Sequence, residues 1–206
     1  QFKAAGVSPT WYVDEASLQG YQGLGLKAVV GGKLIPARNL ALEDASDVGK
    51  ACVQISDDIA RWDYYKGEKQ STLAEANGEA KRAERYQVSP VAAARFILAK
   101  MRGAEGEAKP QLGGVYPLGN MGHCFGADAF HWNNFILGDF FVVDNSTCRF
   151  DTTMSLKEDY DFTCSHLQRH GIVLRCNRMI IQAKHETNAG GACSVRDAAG
   201  EREREN

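Results

Sequence analysis

The stretch that decides the fold is KACVQISDDIARW, Lys50 to Trp62. Its β-branched residues and alternation predict a strand that runs straight into Asp57 and Asp58. Two adjacent carboxylates after a buried strand raise each other's pKa and are costly unless a cation neutralises them. Hard oxygen donors at a strand end suit a divalent metal, Mg²⁺ or Mn²⁺, which keeps open positions for diphosphate oxygens. The plain alternative is a surface Asp-Asp pair that forms a turn and caps a following helix.

Upstream, PARNLALEDASDVG carries Leu40, Ala41, Ala45 and Val48 at helical spacing, with Pro36 in the favoured first turn and Gly49 as a stop. Arg38 in that first turn can fork onto a phosphate or carboxylate, and Asn39 can read a base or sugar edge. A purely structural Arg-Asn pair is the other reading. Before the helix, TWYVD predicts a strand ending at Asp14 and KAVVGG a second short one.

Downstream, residues 64–110 turn charged and rich in Ala, Gln and Glu, and read as a helical insertion with one helix begun by Ser89 and Pro90. Strands return as GGVYPLG, GHCFGADAF and the strongly apolar FILGDFFVVD. A helix follows from Ser155 to His170, stopped by Gly171, with Ser155 and Glu158 spaced as an S-x-x-E capping box. Asp159 has no such structural task, and a carboxylate in a first helical turn is well placed to stay ionised and take a proton. GIVLRCNRMIIQAKHE reads as a long strand or strand pair, His185 follows it, and a last charged helix begins at Ser194. Strand-helix alternation with acidic strand ends predicts an α/β fold, a mostly parallel sheet flanked by helices, with ligands at the carboxyl edge.

Composition bounds the function. A chain of 206 residues fits one domain, and 44% apolar with 24% charged residues excludes a disordered or fibrous chain. Twenty-four Lys and Arg against 26 Asp and Glu give a net charge of -2, which excludes a strongly basic nucleic-acid coat but not a local basic groove. Without a long apolar run or signal segment, the expectation is a soluble intracellular protein. The opening at Gln1 and the closing GEREREN predict one module of a longer polypeptide. Six cysteines leave buried thiols, three disulfides, or a zinc site built from His123 with Cys124 and Cys164 with His166 as alternatives.

In this order, PARNLAL, a strand closing on an acidic pair, FD followed by KEDYDF and HG, and a downstream histidine resemble the GT-A fold of nucleotide-sugar glycosyltransferases from Pro36 to His185. More narrowly, SDDIARW, LKEDYDFTC and IIQAKHETNAGGAC resemble the TET-associated glycosyltransferase group, relatives of the base J DNA glucosyltransferase. The resemblance implies a GT-A-like domain over residues 1–206 whose first strand is missing or truncated. It implies that Asp58 and His185 bind the metal, that Asp57 helps hold the sugar nucleotide, and that Arg38, Asn39 and Asp14, at the end of TWYVD, contact the donor. Glu158 and Asp159 match an x-E-D motif in which the aspartate is the general base of an inverting enzyme. Ser56-Asp57-Asp58 departs from the usual Asp-x-Asp.

The implied activity is transfer of a sugar, glucose from UDP-glucose foremost, to the hydroxyl of hydroxymethylcytosine or hydroxymethyluracil in DNA, in the nucleus or a host cytoplasm. A hydroxylating dioxygenase is the implied partner. Trp62, Tyr64, Phe130 and Trp132 are candidates to stack on an extruded base, and Arg169, Arg175 and Arg178 to follow the DNA backbone. The alternatives are a glycosyltransferase with a protein, glycan or small-molecule acceptor, and a noncatalytic module with the same fold.

Overall fold

The computed structural model describes residues 1–116, 122–154 and 157–183. Thr10–Val13 (β1) and Lys27–Val30 (β2) pair in parallel as a small two-stranded sheet, joined through the short helix Leu18–Gly23 (α1). Leu34–Asp47 (α2) follows, with Pro36 in its first turn and Gly49 stopping it at φ 62°. Cys52–Ile55 (β3) and Ile59–Lys66 (β4) flank the acidic turn. Then come Leu73–Arg82 (α3), Glu84–Val88 (β5), Pro90–Arg102 (α4), Leu112–Tyr116 (β6), Gly122–Phe125 (α5) and Phe130–His131 (β7). Phe140–Val143 (β8), Glu158–His170 (α6) and Leu174–Ala183 (β9) complete the described chain.

Seven strands form one mixed sheet in the order β3-β8-β6-β9-β4-β5, with β7 added on β9. The expectation of a mostly parallel sheet is corrected. Within this sheet only β6 and β9 run parallel, and every other pairing is antiparallel. Helices between strands do not by themselves make parallel neighbours: α3 joins β4 to β5, which pair as an antiparallel hairpin. The run at β8 is apolar throughout because it is covered on both faces. Phe140 and Val142 pack with Ile97 and Met101 of α4, while Phe141 and Val143 pack with Ile35 and Leu42 of α2 and Phe162 of α6. Gly113 and Gly114 of β6 let both layers close in. A Cβ on Gly113 would meet Met101 Sδ at 2.5 Å, and one on Gly114 would meet Ile136 Cγ2 at 2.4 Å.

Residues 64–110 are not simply helical. They supply the end of β4, all of β5, and α4, whose Ile97 and Met101 are fully buried in the main core. GHCFGADAF is a helical turn and a two-residue strand rather than one strand. The S-x-x-E capping box rests on Ser155, which lies outside the described residues. Lys157, at φ 59°, is the residue before α6 and gives no side-chain cap, so Glu158 opens the helix. Ser155, His185 and the helix expected from Ser194 lie outside the described residues.

The sheet must curl. In the strand order β3 and β4 are four spacings apart, which in a flat sheet is about 19 Å at ~4.8 Å each. Ser56, Asp57 and Asp58 alone connect them, and so short a link spans at most about 14 Å. β3 runs opposite to β8, β8 opposite to β6, and β6 with β9, so β3, β6 and β9 all end at one edge, where β4 and β8 begin. Curling draws that edge into a concave rim. Among the described residues, no helix is long and apolar enough to cross a membrane.

Candidate functional site

The rim is where the acidic turn and the first turn of α6 meet. Ser56 N–H donates to the carbonyl of Asp139 at 2.8 Å. The neighbouring Gly138 N–H donates to Asp159 Oδ2 at 3.0 Å. One short loop before β8 therefore holds Ser56-Asp57-Asp58 on one side and Asp159 on the other. The turn is braced internally as well, since Ser56 Oγ donates to Asp58 Oδ1 at 2.6 Å.

Arg38 closes the group from α2. Its Nη2 lies 3.4 Å from Glu158 Oε1, with both side chains nearly buried. Its guanidinium sits 5.1 Å from the Phe150 ring centroid and 5.5 Å from that of Phe141, a cation–π contact that fixes its plane. Gln54 Nε2 donates to the Arg38 carbonyl at 2.9 Å and ties α2 to the end of β3. Arg38 Nη1 is buried and has no acceptor among the described residues, a donor that an anion could satisfy.

Position 138 is tight for any side chain. A Cβ there would come within 3.0 Å of both Arg38 Nη atoms and 3.1 Å of Asp159 Cβ. The absent side chain is what allows guanidinium and carboxylate to share this space.

Burial pushes the carboxyl of Asp159 above its ordinary range, although the N–H of Gly138 and the charge of Arg38 pull the other way. Burial raises Glu158 too, opposed by Arg38 and reinforced by Asp159 and Asp139. The same burial lowers Arg38, against the pull of these acids. The cluster is three carboxyls around one guanidinium, charged groups held away from water at the carboxyl edge, as functional sites often are.

Other expected residues are placed differently. Asn39 spends its side chain on the backbone of Phe150: Nδ2 donates to the carbonyl and Oδ1 accepts from the N–H, both at 2.9 Å. It is a clamp that holds Phe150 under Arg38. Asp14 is exposed and its Oδ1 accepts from Ser17 N–H at 2.8 Å, bending the chain into α1 and holding its carboxyl below the usual range. Trp62 is a core residue edge-on to Phe140, and Tyr64 and Phe130 pack on Phe96, whereas Trp132 is exposed. Arg178 is buried and donates to the carbonyls of Gly67, Cys124 and Ala127. Arg175 donates to Asn177 and lies over Tyr116. Of the three arginines only Arg169 is exposed.

β9 ends at Ala183, which pairs with Ile59, the residue after Asp58. His185 itself lies outside the described residues. Among the described residues no three His, Cys, Asp or Glu gather as a metal site. Cys164 is exposed while His166, two residues on, is fully buried, so the expected zinc pair faces opposite ways. The five described cysteines are free.

Sequence reasoning missed Gly138 and Asp139. The available signal was the GD immediately before FFVV, a small residue and an acid at the start of a buried strand. A cavity of about 330 Å³ lies beside the acidic turn, lined by Ser56, Asp57, Ile55, Ile59, Trp62 and Trp11 among others.

No protein-family model, no curated protein and no solved structure matches this chain. The site therefore rests on its own geometry.

Proposed function

We propose that the rim is the centre of a metal-dependent, GT-A-like glycosyltransferase that moves a sugar, glucose foremost, from a nucleoside-diphosphate sugar to the hydroxyl of a 5-hydroxymethylpyrimidine in DNA. The observation that carries the reading is the loop Gly138-Asp139, which binds the acidic turn and Asp159 at once. It brings together two functions that such a transfer needs, a cation-binding acid pair and a base.

The donor set suits the cation. Mg²⁺ and Mn²⁺ sites at phosphates use one or two carboxylates and complete their shell with phosphate oxygens and water. Asp57 and Asp58 would hold it. When bound, the cation neutralises charge growing on the leaving diphosphate.

Asp159 takes the proton of the acceptor hydroxyl as that oxygen bonds to the anomeric carbon, and the diphosphate departs with the electron pair of the bond that breaks. The raised pKa of a buried carboxylate makes it a stronger base than one in water. Gly138 N–H and the Tyr160 N–H, 3.0 Å from Asp159 Oδ1, hold the carboxylate in position. Glu158 keeps Arg38 in place through their ion pair. Arg38, whose Nη1 has no acceptor among the described residues, is the group that would meet an anionic oxygen of the donor.

That ion pair also favours a second reading. Because Arg38 neutralises Glu158, the acids at the rim do not by themselves demand a bound cation, and a noncatalytic module could carry them.

The deciding experiment incubates the protein with labelled UDP-sugars, Mn²⁺ and DNA carrying hydroxymethylcytosine or hydroxymethyluracil, and reads the mass of the DNA. The expected result is one hexose added per modified base, lost with EDTA and in Asp58→Ala. Donor hydrolysis without a shift on either DNA would assign another acceptor, and neither hydrolysis nor transfer would favour the module.

A further inference from the structure

A second concavity lies away from the rim on the same side of α6. It has a volume of about 460 Å³ and is lined by Thr147, Cys148, Arg149, Ser165, Gln168 and Arg169. Glu158, Ser165 and Arg169 stand at i, i+7 and i+11, so they share one side of the helix. The segment carrying Arg149 runs beside them, since Phe150 stacks on Phe162 at 3.9 Å and Cys148 Sγ lies 3.9 Å from His170 Nε2.

The chemistry of the lining is that of an anion site. The lining residues carry two guanidinium groups, two hydroxyls and an amide, and no carboxylate is among them. Neither Arg149 nor Arg169 has a carboxylate at salt-bridge distance among the described residues, although four other arginines do. Nη1 of Arg149 donates to the carbonyls of Ser146 and Cys148, which braces the guanidinium against its own loop. Arg169 has a competing task as a cation in the last turn of α6. Arg149 is not on a helix and has no such task.

We propose that this groove binds a backbone phosphate of the DNA acceptor, resting on the function proposed above for the rim. From Asp159 to Arg169 is about 15 Å along the helix axis at ~1.5 Å per residue. At ~3.4 Å per phosphate along one strand, the groove takes a phosphate about four or five nucleotides from the extruded base. It contributes affinity and register and no sequence preference. A chain whose net charge is -2 thus carries its basic contact locally.

The test measures anisotropy of a fluorescein-labelled single-stranded 14-mer with ordinary bases, over a series of salt concentrations, for the whole chain and for Arg149→Gln, Arg169→Gln and the double variant. The expected result is at least a tenfold loss of affinity in the double variant at low salt. The slope of log K against log salt should flatten by about 0.7 per arginine removed. Arg149→Lys with Arg169→Lys should restore the slope, which a merely structural role would not. Ser165→Glu, which keeps both arginines, should weaken binding as the double variant does, and thermal melts check that each variant is folded.

Unchanged affinity and slope in the double variant would overturn the proposal. So would loss of inorganic phosphate binding with DNA affinity intact, which would mark a site for free phosphate. Donor hydrolysis and transfer to free 5-hydroxymethyldeoxycytidine are measured in parallel. Absence of both donor hydrolysis and any transfer in the unaltered protein would sink the transferase reading, whereas retained donor hydrolysis in the double variant, with transfer to DNA reduced, places the defect in the groove alone.

Discussion

The backbone N–H of Gly138 donates to Asp159 Oδ2 at 3.0 Å, and the next residue's carbonyl accepts from Ser56. Two segments a hundred residues apart in sequence are thereby fixed to one loop, and the proposed chemistry depends on that loop's shape.

Gly138→Ala tests it directly. The new methyl would press on Arg38 and on Asp159 Cβ at about 3.0–3.1 Å. Overpacking of this kind costs about 1–3 kcal/mol. A lowered melting temperature is expected together with a loss of turnover much larger than the loss of folded protein. Full activity in a folded Gly138→Ala protein would mean that the Arg38–Asp159 spacing does not matter.

Asp159→Asn removes the base and leaves either the Gly138 or the Tyr160 N–H facing an amide nitrogen instead of an oxygen. Turnover should fall about 10²- to 10⁴-fold, with donor affinity within about twofold by calorimetry. The folded-state pKa of Asp159 is raised, so its ionisation weakens the fold as pH climbs above the ordinary carboxylate value of about 4. The melting temperature of the asparagine variant relative to the parent should therefore rise as pH climbs from about 4 to neutrality. A variant that melts lower at every pH would show that the carboxylate is needed for structure.

Asn39→Ala separates clamp from ligand contact. It strips partners from the N–H and carbonyl of Phe150, a residue 2% exposed. Two unsatisfied buried groups predict a loss of about 2–4 kcal/mol in chemical denaturation. The KM for the sugar nucleotide should stay the same. A stable variant with a raised KM would return Asn39 to the donor site.

His166 should make the fold acid-sensitive. It is fully buried, its Nδ1 pairs with the Phe162 carbonyl, and burial pushes its pKa down to about 4. Between about pH 6.5 and pH 4 the unfolded chain takes up a proton that the folded chain refuses. Stability is full above that window and falls as pH drops through it, by on the order of 3 kcal/mol. His166→Phe should flatten the stability profile across this range, and an unchanged profile would place the titration elsewhere.

Much of the local structure was legible in the residues. Ser89 with Pro90, Pro36 with Gly49, and Gly171 each marked a helix end where one occurs, because caps act on the nearest few backbone groups. Pairing direction was not legible. The same apolar run Phe140–Val143 fits a central strand of either orientation, and only its neighbours decide. Glu158 illustrates the limit at the site: nothing in its own neighbourhood of sequence points to its partner Arg38, 120 residues earlier.

The sequence by itself determined the start of α4, the stops of α2 and α6, which acids follow strands, and that Arg38, Asp57, Asp58, Glu158 and Asp159 belong to element ends. Those properties depend on propensity and periodicity within a few residues. Only the tertiary structure decided that the sheet is mixed and curled, that Asn39 and Arg178 serve the fold, and that Gly138 and Asp139 join the acidic turn to α6. The reason is physical. A three-residue link between strands four places apart forces the sheet to curl, and that closure brings distant carboxylates around one buried guanidinium.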